Sequence, residues 1–249
     1  MMILETFPKI ISEMNQAVSG FHKYLLIVLF SMSQAAGQAQ TRLSEVDTGR
    51  IAPKSIRRFL KQQEKLGMVW FEDFRPSVDE TTDTNRFNLN CHRFHLRQSP
   101  ATAWHAILTT PPSQIWQGRT VSCGFIYSPG SQRVIFPGDN YPGLEPGQIF
   151  FIELRILFGL VKFPVGLVVT KVDQGQRTIT FSYVSSGPSK GAQTIRLVDD
   201  GKGGTEIQHS ALHQTGNVIR DRALYPIYHR QAIGEVYRNL KLQLDRLDY

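Results

Sequence analysis

The residues best suited to chemistry in this 249-residue sequence are histidines and tyrosines near its C-terminal half. His209 and His213 fall in TEIQHSALHQ, on the same side of an alternating strand as Ile207 and Ala211. An imidazole that titrates near neutrality can orient a polar ligand group or serve as a general base. The pair is equally consistent with two hydrogen-bonded histidines in a cavity wall. Four positions along a strand set the rings roughly 13 Å apart at ~3.3 Å per residue. That span is too wide for one metal ion, so the two alone make no metal site. Tyr183, Tyr225 and Tyr228 could supply hydroxyls to these histidines or stand as core aromatics with satisfied tips.

Other constellations carry less. Glu153 and Arg155 share one side of QIFFIELRILF and read as a surface ion pair. His92 and His95 fall on opposite faces of an earlier strand and share no site. GPSKG departs from the GxSxG of a nucleophile elbow, and GKGG lacks the residues that complete a phosphate loop. PSVDETTDTN lacks the central Gly and terminal Glu of a calcium loop. Cys91 and Cys123 form no CxxC pair and read as two buried thiols, their pairing left open. No cofactor or metal is expected.

The elements that position these residues follow from periodicity. SIRRFLKQQEKLG after Pro53 predicts a helix with Ile56, Phe59, Leu60 and Leu66 on one stripe and Gly67 as its stop. MVWFEDF looks extended, and the polar segment after it reads as a linker. RFNLNCHRFHLRQ is a strand that hands over, through Ser99 as N-cap and Pro100, to the helix ATAWHAIL. Alternating segments then follow, separated by SPGSQ, DQGQ, GPSKG and GKGG turns. Phe150, Ile152, Leu154 and Ile156 make one apolar strand face, and Ile179, Phe181 and Tyr183 another. The chain ends in a helix with Leu224, Ile227, Ile233, Val236, Tyr237, Leu240, Leu244 and Leu247 as its apolar positions. Gly234 in that helix implies close approach to the sheet.

RFHLRQSPATAWHAI, with Trp104 on its helix, resembles the opening of the START-like (SRPBCC) superfamily. ALYPIYHRQAIGEVYRNL fits the closing helix of the same plan, and YVSSGPSKGAQTIRL is similar to a bacterial subgroup of unknown function. The resemblance spans roughly two thirds of the chain, from Phe87 to Leu247. It implies an α+β helix-grip fold, a curved antiparallel sheet gripping a long C-terminal helix, over 86–249. Residues 40–85 would be an N-terminal helical extension and linker. The resemblance also implies an apolar small molecule or lipid held between sheet and helix. Phe150, Ile152, Leu154, Phe181, Tyr183, His209, His213 and Tyr228 are the expected ligand-binding residues. The fold hosts many roles, so an enzyme using His209 or His213 as base stays open.

The net charge is +7. Lys54, Arg57, Arg58, Lys61 and Lys65 lie on one predicted helix, a possible contact for an anionic membrane surface. No aromatic RNA-binding signature, zinc spacing or helix-turn-helix pattern argues for nucleic acid. Residues 24–32, YLLIVLFSM, follow His22 and Lys23 and precede SQAAGQAQ. A basic flank, a short apolar core and small residues read as a signal peptide over 1–39, cleaved before Gln40, and hence as a periplasmic or secreted protein. An amphipathic N-terminal helix of a cytoplasmic protein is the other reading.

Overall fold

Eight of the alternating segments pair into a single antiparallel sheet. They are β1 (Asn88–Leu96), β2 (Val121–Ser128), β3 (Arg133–Ile135), β4 (Ile149–Ile156), β5 (Val161–Asp173), β6 (Thr178–Tyr183), β7 (Lys190–Asp199) and β8 (Thr205–Gln214). Their order is β1-β8-β7-β6-β5-β4-β2-β3, so β4 to β8 form a meander and β1 closes onto β8. The computed structural model describes residues 40–79 and 81–247. The leader expected over 1–39 lies outside the described residues, as does the side chain of Leu247. Among the described residues four α-helices accompany the sheet: α1 (Lys54–Lys65), α2 (Pro100–Thr109), α3 (Pro112–Ile115) and α4 (Tyr225–Leu247). The chain has the α+β helix-grip architecture, with α4 held by the curved sheet.

Local chemistry sets the helix ends. The Ser99 side chain accepts the Thr102 N–H at 3.3 Å, and Pro100 occupies the first turn of α2. Pro53 stands one place before α1, at its N-cap, and Gly67 adopts φ +90° just beyond its end. Leu66 does not join the buried stripe of α1; it is exposed. MVWFEDF is not extended throughout, because Phe71–Asp73 forms a 3-10 turn held by Asp73 accepting the Val69 and Trp70 N–H groups.

The sheet has an apolar inner face, its outer face is apolar over β2, β4 and β5, and each of these surfaces has its own cover. On the inner face Ile152, Leu167, Ile179, Phe181 and Ile207 pack against Ile233, Val236, Tyr237, Leu240 and Leu244 of α4. On the outer face Phe125, Tyr127, Phe151 and Val168 pack against Ile56, Phe59 and Leu60 of α1, with Phe71 and Phe74 beside them. The extension is therefore a third layer, and the described residues from Thr41 onward form one compact unit. Gly124 permits the close fit: a Cβ there would stand 2.4 Å from Ile56 Cδ1. The register slips between Cys123 and Phe125 and between Val169 and Lys171, two irregularities of the kind that bend a sheet.

This outer layer overturns the surface reading of Glu153 and Arg155. Glu153 is 2% exposed, accepts the Ser55 hydroxyl at 2.6 Å and pairs with Arg155 Nε at 3.0 Å. Burial opposes its charge, but the Ser55 and Arg155 bonds outweigh it and hold the carboxyl below its ordinary range. Cys91 is exposed while Cys123 is buried, and both are free, so only one of the two thiols is interior. Burial pushes the Cys123 thiol up to about 12.

The closing helix also differs from the simple stripe. Leu224 and Ile227 are exposed, because Ile227 lies about two and a half turns from Val236 and so faces the opposite way. Tyr225 and His229 share the Val236 side instead. The chain enters α4 through a π-helical turn, Arg220–Leu224. No neighbour lies within 4 Å of a Cβ built on Gly234, so close packing does not account for that residue.

Candidate ligand cavity between the sheet and the C-terminal helix

β4, β5 and β6 send Ile152, Leu154, Val165, Leu167 and Tyr183 toward the N-terminal half of α4. There the helix presents Tyr225, Tyr228, His229, Ala232 and Ile233. Between the two sets lies a cavity of ≈120 Å³, its walls mostly apolar. Its rim is formed by Ile156, Phe163, Arg220 and Leu224. Arg220 lies over the Phe163 ring at 5.4 Å and donates to the Ser189 hydroxyl at 3.1 Å, bridging the π-turn to the sheet.

One wall is polar and connected. Gln193 Nε2 donates to the Tyr183 hydroxyl at 2.8 Å, and the Tyr183 and Tyr225 hydroxyls are 2.7 Å apart. Gln193 Oε1 lies 3.1 Å from His209 Nε2, and His209 Nδ1 lies 2.8 Å from the Tyr237 hydroxyl. Because Gln193 Oε1 can only accept, the first links have one direction of donation: Tyr237 to His209, His209 to Gln193 and, through the amide nitrogen, Gln193 to Tyr183, while either hydroxyl of the Tyr183–Tyr225 pair can donate. The network ends on this pair of hydroxyls beside the cavity, both of whose residues line it. Burial raises the pKa of Tyr183, Tyr225 and Tyr237 and keeps all three phenols neutral.

Four histidines gather beside this wall. The strand register sets His92 opposite His209, and His229 of α4 reaches both, with ring centroids 5.7 and 5.2 Å away. His213 stacks on Tyr225, accepts from Asn90 at 3.2 Å through Nδ1 and donates from Nε2 to the Asp221 carbonyl at 3.2 Å. Burial lowers all four imidazoles: His209 falls well below the usual value and His229 falls to about 3. Nδ1 of His229 and Nε2 of His92 are buried without a hydrogen-bond partner. Among the described residues no group of three or more His, Cys, Asp or Glu is arranged to hold a metal ion.

The expected ligand residues therefore divide. Ile152, Leu154, Tyr183 and Tyr228 line the cavity. Phe150 and Phe181 do not; they meet edge to face at 5.7 Å and line a separate internal void of ≈40 Å³ nearer Leu240. Trp116 touches both spaces. His209 and His213 stand behind the wall with both nitrogens of each engaged, so neither is free to act as a base. Their inward facing is as the alternation requires, but their partners came from elsewhere: Gln193, Tyr237, Asn90 and Asp221. His229 and Gln193 escaped sequence reasoning. The available signals were a histidine on the apolar stripe of α4 and a glutamine on the inward side of β7.

No family model and no curated protein matches the sequence. Among solved structures, the chain is similar to norcoclaurine synthase of Thalictrum flavum at 11% identity and TM-score 0.48, covering 66% of this chain and 97% of that one. It is similar to major latex-like protein 151 of Panax ginseng at 10% identity and TM-score 0.46, covering 63% and 97%. Protein NE0264 of Nitrosomonas europaea matches at 16% identity and TM-score 0.44, over 64% and 96%.

Proposed function

We propose that this protein binds a small, largely apolar molecule in the cavity between β4–β6 and α4, and that it is a START-like binding protein. The observation that carries this is the cavity itself: mostly apolar walls, with the paired Tyr183 and Tyr225 residues and Arg220 among those that line it. Its size selects the ligand. An apolar cavity of ~150 Å³ accommodates benzene, so ≈120 Å³ suits one ring or a short branched chain. A fatty acid would need the void beside Phe181 as well, which means moving Trp116. The ligand's polar end would hydrogen-bond the Tyr183–Tyr225 pair or pair with Arg220.

Binding is favoured over catalysis because of what the histidines do. A general base works best with a pKa near the operating pH. His229 touches the cavity, but burial takes it to about 3. The test is calorimetric titration with phenylacetate, a one-ring carboxylate, and with toluene as its apolar counterpart. Saturable binding of phenylacetate, weakened by Arg220→Gln, supports the reading. Failure of every one-ring probe to bind removes it.

Export is part of the same proposal and rests on the leader-like pattern of 24–39 alone. Intact-mass analysis of protein from its native host should find a chain beginning near Gln40, whereas a full-length cytoplasmic chain would exclude export.

A further inference from the structure

Soluble surfaces usually scatter their large apolar side chains, yet here they collect around the cavity rim. The β4–β5 connection holds Leu157, Phe158 and Leu160 in solvent, with Phe158 fully exposed. Leu157 and Phe158 both adopt positive φ, 51° and 57°, a costly conformation for residues with side chains. On the other side of the rim, Val218, Ile219, Leu224 and Ile227 are also exposed. The two segments are neighbours: Phe158 and Gly159 share a surface cleft with Ile227 and Tyr228.

That cleft is cationic. It holds ≈400 Å³ and is lined by Arg119, Arg155 and Arg238. Its carboxylate, Glu235, already accepts the N–H groups of Arg119, Thr120 and Val121 at 2.7–3.1 Å. Arg155 is held by Glu153 and the Gly118 carbonyl. Among the described residues, Arg119 and Arg238 form no ion pair. Exposed Lys162 and Arg222 extend the charge along both rim segments.

We infer that this rim docks on an anionic phospholipid bilayer, with Phe158, Leu160 and Ile219 entering the interface and Arg119 and Arg238 taking lipid phosphates. An apolar ring beside unpaired guanidiniums is complementary to a surface that is apolar inside and anionic outside. A protein partner would have to match both features with acidic and apolar groups of its own, whereas a bilayer supplies both without a specific fit. The basic stripe of α1 is a poorer candidate, since its apolar side is spent on the sheet. Docking at the rim places the cavity mouth against the membrane, from which an apolar ligand would enter. The inference concerns the rim alone and stands whether or not the cavity binds a ligand.

The test uses full-length protein carrying Cys91→Ser, which removes the exposed thiol, with Phe158→Cys added and labelled by the environment-sensitive fluorophore NBD. Vesicles of phosphatidylcholine with phosphatidylglycerol should brighten the label several-fold, and salt should reverse the effect. A Leu66→Cys label, on an exposed apolar residue of the α1 end, should stay dim. Arg119→Gln with Arg238→Gln should raise the lipid concentration needed at least about tenfold. A dim Phe158 label, or equal brightening at Leu66, overturns the inference. So does a dimer in solution that shields Phe158 before any vesicle is added, which would make the rim a contact between copies of the chain.

Discussion

Tyr225 lies flat on His213, the ring centroids 3.5 Å apart and the planes within 7°. The stack joins the first residue of α4 to the end of β8, next to the π-turn. It fixes the phenol so that its hydroxyl meets Tyr183 at 2.7 Å. Ring packing and hydrogen bonding are thus separable at this residue. Tyr225→Phe should keep the stack and the fold, and weaken a ligand that hydrogen-bonds the hydroxyl by about 0.5–1.5 kcal/mol. Tyr225→Ala should lower stability by about 2–3 kcal/mol, since a large, mostly buried ring and its stack are lost. Titration calorimetry and thermal unfolding distinguish the two.

The buried histidines predict an acid-labile fold. Each has a folded pKa below that of the unfolded chain, so the unfolded state binds more protons once the pH falls below ~6.5. Stability is full above that value and is lost progressively as the pH drops toward 3, where His229 itself takes a proton in the folded state. A fully buried imidazole contributes roughly 2 kcal/mol of this loss at pH 5, at about 1.36 kcal/mol per pH unit. His229→Phe should therefore flatten the decline between pH 7.5 and pH 5 by about 1–2 kcal/mol. Urea unfolding at both values checks it, and an unchanged slope would mean that His229 is solvated.

The outer layer gives a second stability test. Ser55→Ala removes one of the two partners of a buried carboxylate, and should cost about 1–3 kcal/mol. Glu153→Leu with Ser55→Ala takes away both groups and should recover part of the loss. On the inner side Leu240→Asp should cost several kcal/mol, because Leu240 is 1% exposed. Leu242→Gln, on an exposed face, should be nearly silent. Lys241 beside it pairs with Asp245, so Lys241→Asp would set two carboxylates one turn apart and carry a small cost of its own.

What the sequence disclosed depended on how local each signal was. Strand alternation gave the inward side of β6 and β8 correctly, including Tyr183, His209 and His213, because period two needs only a few residues. The Ser99-Pro100 helix start was equally local. The role of residues 41–85 was not legible: that Phe59 and Phe151 face each other depends on a helix crossing a strand some ninety positions later. Hence Glu153 looked like a surface residue. The division of Phe150 and Phe181 from the cavity was also hidden, since it turns on where Trp116 sits between two spaces. The exposure of Leu224 and Ile227 was within reach, had the stripe been held strictly to the helical period from Val236.

The central claim is that the space between sheet and α4 holds an apolar ligand, and filling that space tests it most directly. Ala232 is buried in the cavity wall, and Ala232→Phe should occupy the void while leaving the fold intact. The measurement is phenylacetate binding by titration calorimetry to wild type and to this variant, with thermal unfolding of both as a check on folding. The expected result is saturable binding by the wild type and none by a folded Ala232→Phe protein. Equal binding by the two proteins would place the ligand elsewhere and contradict the claim.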